Sequence, residues 1–145
     1  MPVKETPAKY PVIDTDPHFT RVVRYMRGSD YATWAGATAA GPGLFWLYEK
    51  VDPTKASKAS LRSALRLTGF LGFAAGFMLA YQNSSLRFWG WKENAYEVEK
   101  DQKELSARVS SGQPIYGETE LTPYLQGVAS RNSTFSQLKL HAFPW

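Results

Sequence analysis

Between Arg66 and Arg87 the chain reads Leu67-Thr-Gly-Phe-Leu-Gly-Phe-Ala-Ala-Gly-Phe-Met-Leu-Ala-Tyr-Gln-Asn-Ser-Ser-Leu86, 20 residues without a charge. About 20 predominantly apolar residues in helical conformation cross the hydrocarbon core of a bilayer. Inside this stretch Thr68, Gly72, Gly76 and Ala80 recur every four residues. Small residues at that spacing line one side of a helix and let a second backbone come close. Dispersion contacts then accumulate where no hydrophobic force acts between helices. Phe70, Phe73, Phe77 and Met78 mostly point elsewhere.

A second uncharged stretch lies upstream, the 18 residues from Tyr31 to Tyr48 between Asp30 and Glu49. It is thin in large aliphatics, and its Ala32, Gly36 and Ala40 form a shorter small-residue face. That face is the simplest partner for the Gly72 stripe. Pro42, within Gly41-Pro42-Gly43, has no N–H for the Thr38 carbonyl, which predicts a kink or an unwound turn. Unpaired backbone is costly in lipid, so the freed carbonyl should face protein or be satisfied by a side chain such as Thr38. Aromatic residues gather at the boundaries: Tyr31 and Trp34, Trp46 and Tyr48, Tyr81, then Phe88, Trp89 and Trp91. Such rings prefer the head-group zone.

The expected fold is therefore an all-α membrane protein built on a two-span transmembrane hairpin. An extended arm and an amphipathic interfacial helix occupy 1–30. Transmembrane helix 1 covers 31–48, a basic loop 49–66, transmembrane helix 2 67–86, a polar helix 87–110 and an extended C-terminal strap 111–145. In the first segment Asp16 is the expected N-cap and Pro17 the first helical residue. Phe19 to Arg27 divides into an apolar side (Phe19, Val22, Val23, Met26) and a basic one (Arg21, Arg24, Arg27). Gly28-Ser29-Asp30 is expected to break that helix. The polar helix has a narrow apolar seam, and Glu99 to Lys103 is a favourable pair on it. Proline and glycine then break up the remainder, and Phe135, Leu138, Leu140, Phe143 and Trp145 are scattered without a regular face.

The whole chain has 145 residues, a mean hydropathy of −0.36 and a net charge of +4. The excess sits in 49–66, which carries +3, while 87–145 is neutral. That distribution favours an anionic membrane surface over nucleic acid as electrostatic partner. Net charge puts the loop on the inner face of the membrane. Arg21, Arg24, Arg27, Arg87, Lys92, Lys100 and Lys103 near the span ends weigh the other way under the positive-inside rule. Two spans place both termini on one side in either case. The first 15 residues lack the apolar stretch of a secretory signal, so targeting information is expected to be internal.

Little chemistry is on offer. Without cysteine there are no disulfides, thiolate metal sites or thiol nucleophiles. His18 and His141 are far apart in sequence, and neither uncharged stretch contains an acid for a proton path. No catalytic, cofactor-binding or metal-binding residue is expected.

The segment Tyr10-Pro-Val-Ile-Asp-Thr-Asp-Pro-His-Phe-Thr-Arg-Val-Val-Arg-Tyr-Met-Arg-Gly-Ser-Asp-Tyr31 resembles the start of the fungal accessory subunit of mitochondrial complex I known as the 21 kDa subunit. The Gly-Pro-Gly of the first stretch, the second glycine-rich stretch and the ending Phe143-Pro144-Trp145 are similar to that family too. The resemblance implies a multi-pass, non-catalytic subunit of NADH:ubiquinone oxidoreductase in the mitochondrial inner membrane. Its partners would be core and accessory membrane-arm subunits, and its role to brace or help assemble the arm around the proton-pumping core. Phospholipid, cardiolipin among the candidates, is the other expected partner, with Arg62, Arg66 and Arg87 at the head groups. The alternative class is an oligomeric channel or protein-import pore component, for which the spans offer only Thr33, Thr38 and Thr68 as polar lining, plus a polar run at 82–85.

Overall fold

The computed structural model describes residues 8–115 and 120–135. All regular structure among them is helical: α1 Phe19–Arg24, α2 Gly28–Val51, α3 Lys58–Phe88, α4 Ala95–Ser110 and α5 Pro123–Ser133. The expected apolar anchors Leu138, Leu140, Phe143 and Trp145, with His141, lie outside the described residues.

Helix α1 starts later than Asp16-Pro17 suggests. The Asp14 carboxylate accepts the Asp16 N–H at 2.9 Å, which makes a turn ahead of the helix. His18 is the N-cap, its Nδ1 accepting from the Thr20 N–H at 3.3 Å. The helix closes at Arg24, with the Tyr25 N–H returning to the Arg21 carbonyl. Gly28-Ser29-Asp30 is no breaker but the first turn of α2. The Asp30 carboxylate accepts the Arg27 N–H at 2.8 Å, so the acid works as a helix-start device.

Helix α2 continues through Pro42. Helix α3 has 31 residues, about 46 Å at 1.5 Å per residue. Among the described residues it is the one helix long and apolar enough to cross a membrane. The small residues and the Gly-Pro-Gly of α2 hold its hydropathy down, so the expected pair of spans is met by that measure in one helix. α3 ends on Gly90, whose φ of 71° lies in the left-handed region. The Trp91 N–H returns to the Leu86 carbonyl at 2.9 Å and the Gly90 N–H to Arg87 at 3.2 Å, a Schellman closure.

The polar helix expected over 87–110 is thus two things. Residues up to Phe88 belong to α3, and α4 begins at Ala95 after the turn. The strap expected over 111–145 contains a helix as well. Thr122 caps α5, accepting the Leu125 N–H at 3.4 Å, and Pro123 takes the first helical position.

The chain divides into two compact units. One holds Met26–Ser84, the α2–α3 pair; the other joins Met1–Tyr25 to Ser85–Trp145.

Candidate functional site

The α2–α3 pair is built on backbone contact. A Cβ added to Gly41 would lie 2.6 Å from the Thr68 carbonyl oxygen. One at Gly72 would lie 2.8 Å from the Ala37 oxygen and 3.0 Å from that of Thr38, and one at Gly76 2.7 Å from the Trp34 oxygen. The partner numbers fall as the α3 numbers rise, so the helices are antiparallel. Real Cβ atoms essentially never come this close to backbone, so each glycine is required by its neighbour.

The Thr38 oxygen is the one that Pro42 leaves without a helical donor, and it faces Gly72. The Thr38 hydroxyl does not rescue it, because that hydroxyl donates to the Trp34 carbonyl at 2.8 Å. That carbonyl can lie against α3 only because Gly72 has no side chain in the way.

Trp34 fixes the register. Its indole Nε1 donates to the Phe73 carbonyl at 3.0 Å, and its ring lies 5.0 Å from the Phe73 ring and 5.1 Å from the Phe77 ring. One side chain thus reads three residues of α3: the carbonyl and ring of Phe73, the ring of Phe77 and the gap at Gly76. Sequence reasoning placed Trp34 at a membrane boundary and missed this role. The signal was available, since Trp34, Ala37, Thr38 and Gly41 share one helical face.

In the second unit the extended arm is held by the turn after α3. The Tyr10 N–H donates to the Gly90 carbonyl at 3.0 Å and the Ile13 N–H to Phe88 at 2.9 Å. A Cβ at Gly90 would sit 2.3 Å from the Tyr10 oxygen, so this glycine is demanded by contact as well as by φ. Asn94, 1% exposed, donates from Nδ2 to the carbonyls of Pro11 and Arg87, each at 2.7 Å. Beside it Arg87 Nε meets Glu97 Oε1 at 2.9 Å, with the Glu97 side chain 0% exposed.

Helix α1 is held to α4 by charge. Arg21 is shared between Asp14, at 2.9 Å, and Asp101. Burial alone would lower its pKa, but the Asp101 and Asp14 carboxylates outweigh that and raise it. Arg24 pairs with Glu104 at 2.9 Å. The Tyr25 ring packs 5.1 Å from Phe88 and carries the Lys100 ammonium 4.2 Å from its centroid. Burial, followed by the Glu104 carboxylate, pushes the Tyr25 phenol up to about 12. The arm and α5 are also tied together. The Ser133 hydroxyl donates to Asp16 at 2.5 Å, the Phe135 N–H donates to the Thr15 carbonyl at 2.9 Å, and the Phe135 ring packs on Trp89 and Trp91.

One unit is thus held by backbone contacts and the other by ion pairs and hydrogen bonds. Residues 7–93 match the family described as NADH-ubiquinone oxidoreductase complex I, 21 kDa subunit, and residues 102–145 match the C-terminal family of that subunit. The chain belongs to the complex I 21 kDa subunit family. It is similar to the NADH-ubiquinone oxidoreductase 20.9 kDa subunit of Neurospora crassa, 47% identical over 136 residues, which is 94% of this chain and 72% of that one.

In this 21 kDa-family chain the residues expected to pack the helices separate into two groups. Gly72 and Gly76 lie against α2, Thr68 offers its carbonyl to Gly41, and Ala80 is buried. Gly36 and Ala40 do not join them. Both are exposed, and a Cβ at Gly36 would meet nothing within 4 Å. The contacting face of α2 is rotated to Trp34, Ala37, Thr38 and Gly41, because the indole needs the gap at Gly76. Pro42 stands in an unbroken helix. Arg62 and Arg66 are exposed on α3. Arg87 is the correction among the expected head-group residues: its guanidinium is spent on Glu97 and is not at the surface.

Proposed function

We propose that this chain is a non-catalytic accessory subunit of complex I in the mitochondrial inner membrane, where α2 and α3 cross as a hairpin and brace the membrane arm. The single observation that carries the reading is the outward-facing apolar surface of the helix pair. Leu44, Leu47 and Val51 of α2 are exposed, as are Leu67, Phe70, Leu71, Met78 and Leu79 of α3. Large exposed apolar side chains on a pair held by backbone contact suit lipid or another membrane protein, not water. Family membership supports complex I as the assembly. The unit of arm, α1, α4 and α5 then supplies a polar body for contact with neighbouring subunits.

The pore alternative is weakened by the three span threonines. Thr33 donates to Ser29, Thr38 to Trp34 and Thr68 to Leu65, each to a carbonyl of its own helix. Hydroxyls turned back in this way do not make a polar lining.

The test is a native-gel separation of detergent-solubilised mitochondria, probed for this chain. Co-migration with a very large complex that stains for NADH dehydrogenase activity is the expected result. Migration as a small oligomer of itself would overturn the reading in favour of a pore, which ion flux in liposomes would then examine.

A further inference from the structure

α3 outruns the bilayer. Its uncharged part is the 20 residues 67–86, about 30 Å, already the thickness of a hydrocarbon core. The helix nevertheless begins at Lys58, nine residues earlier. That extension carries Lys58, Arg62 and Arg66, spaced by four and therefore on one helical face. All three are exposed, and no ion pair forms on any of them among the described residues. Glu49 is spent on Thr54, accepting from its N–H at 3.0 Å and its hydroxyl at 2.9 Å. The rest of the extension is made of small residues and half-buried Leu61, Ala64 and Leu65. Because the hairpin is antiparallel, the C-terminal end of α2 lies at the same level. There the Lys50 ammonium sits 4.6 Å from the Trp46 ring centroid, and Trp46 and Tyr48 are exposed. Exposed aromatic rings beside unpaired cations mark a head-group zone.

We propose that the Lys58–Arg62–Arg66 face is a binding site for the head-group phosphates of anionic phospholipid. Three cations spread over about 12 Å of helix fit more than one phosphate, so the site takes a lipid surface and not a single free ion. The long stems reach from the helix to the phosphate level while their methylenes stay against apolar surface. Arginine brings a planar fork that grips phosphate through two N–H groups, and lysine a point charge. The proposal rests on the reading of α3 as a membrane span.

The full-length chain is reconstituted into vesicles of phosphatidylcholine doped with phosphatidylglycerol, then extracted in mild detergent. Retained lipid is measured by native mass spectrometry. The wild type is expected to keep phosphatidylglycerol in preference to phosphatidylcholine, and inorganic phosphate should not displace it. Replacing Lys58→Gln, Arg62→Gln and Arg66→Gln together should lower that preference by roughly fivefold for each cation removed. The charge-keeping set Lys58→Arg, Arg62→Lys and Arg66→Lys should retain most of it. A control with Lys92→Gln and Arg131→Gln should retain all of it. Equal phosphatidylglycerol retention by the wild type and the triple Gln variant would overturn the proposal. So would displacement by phosphate alone. Resistance of each variant to carbonate extraction from the vesicles reports spanning separately, so failure of the lipid site is distinguishable from failure of the membrane reading.

Discussion

Gly72 and Gly36 look alike in sequence, each one step in a run of small residues on a four-residue repeat. Their surroundings differ completely. A methyl group at Gly72 would press on two carbonyl oxygens of α2, whereas one at Gly36 meets open space. Gly72→Ala should therefore lower the midpoint of thermal unfolding of the detergent-solubilised chain, followed by helical circular dichroism. Gly36→Ala should leave it unchanged or raise it, since replacing glycine within a helix gains about 0.5–1 kcal/mol. Equal effects would remove the backbone contact from the account. Tyr25 permits a test by pH. Its phenol is pushed from the usual 10.0 up to about 12. The proton is held more tightly in the folded state, so this contribution is complete below pH 10 and is lost as pH rises through 12. Tyr25→Phe should lose less stability between pH 9.5 and 12 than the wild type does. Parallel losses in the two proteins would show that Tyr25 is not the group concerned.

At the scale of elements, the end of α3 is where sequence and structure part most. Arg87 reads in sequence as a cation flanking a span, because the chain gives no sign that Glu97 lies ten residues on in a different helix. The turn closed by Gly90 brings the two together, and Asn94 covers them. Removing one partner of a buried pair leaves an uncompensated charge. Glu97→Gln should accordingly cost about 3–5 kcal/mol, while Arg87→Met with Glu97→Leu should cost less than Glu97→Gln alone. Chemical denaturation of the three proteins side by side decides this, and equal losses would contradict the buried pair. Other elements were legible. The uncharged run at 67–86 announced a helix and its small face, and the arginines of 19–27 announced an amphipathic one. α5 was hidden by the glycines and prolines around it, although Thr122 and Pro123 are an ordinary helix start. The face of α2 was misjudged because spacing by four selects Ala32, Gly36 and Ala40, whereas the contact is decided by where an indole fits. Large side chains set register, and small ones permit it.

At the scale of the whole molecule, composition conceals the architecture. A mean hydropathy of −0.36 averages an apolar helix pair with a polar remainder rich in ion pairs. α2 has few large aliphatics, and the proposal that it crosses a bilayer rests on its packing with α3 and on its exposed Leu44, Leu47 and Val51. If both helices cross, residues 52–57 lie on one side of the membrane and residues 111–115 on the other. The chain has no cysteine, so single cysteines can be introduced without background. The most direct measurement is labelling of Val12→Cys, Ala56→Cys and Ser111→Cys, which lie before α2, between the helices and after α3, by a membrane-impermeant maleimide in mitoplasts, before and after permeabilisation, with denatured samples as the control for reactivity. The hairpin predicts that Val12→Cys and Ser111→Cys are labelled from one side of the membrane and Ala56→Cys from the other. Labelling of Val12→Cys and Ser111→Cys from opposite sides would contradict it and leave a single span, and labelling of all three from one side would contradict any crossing.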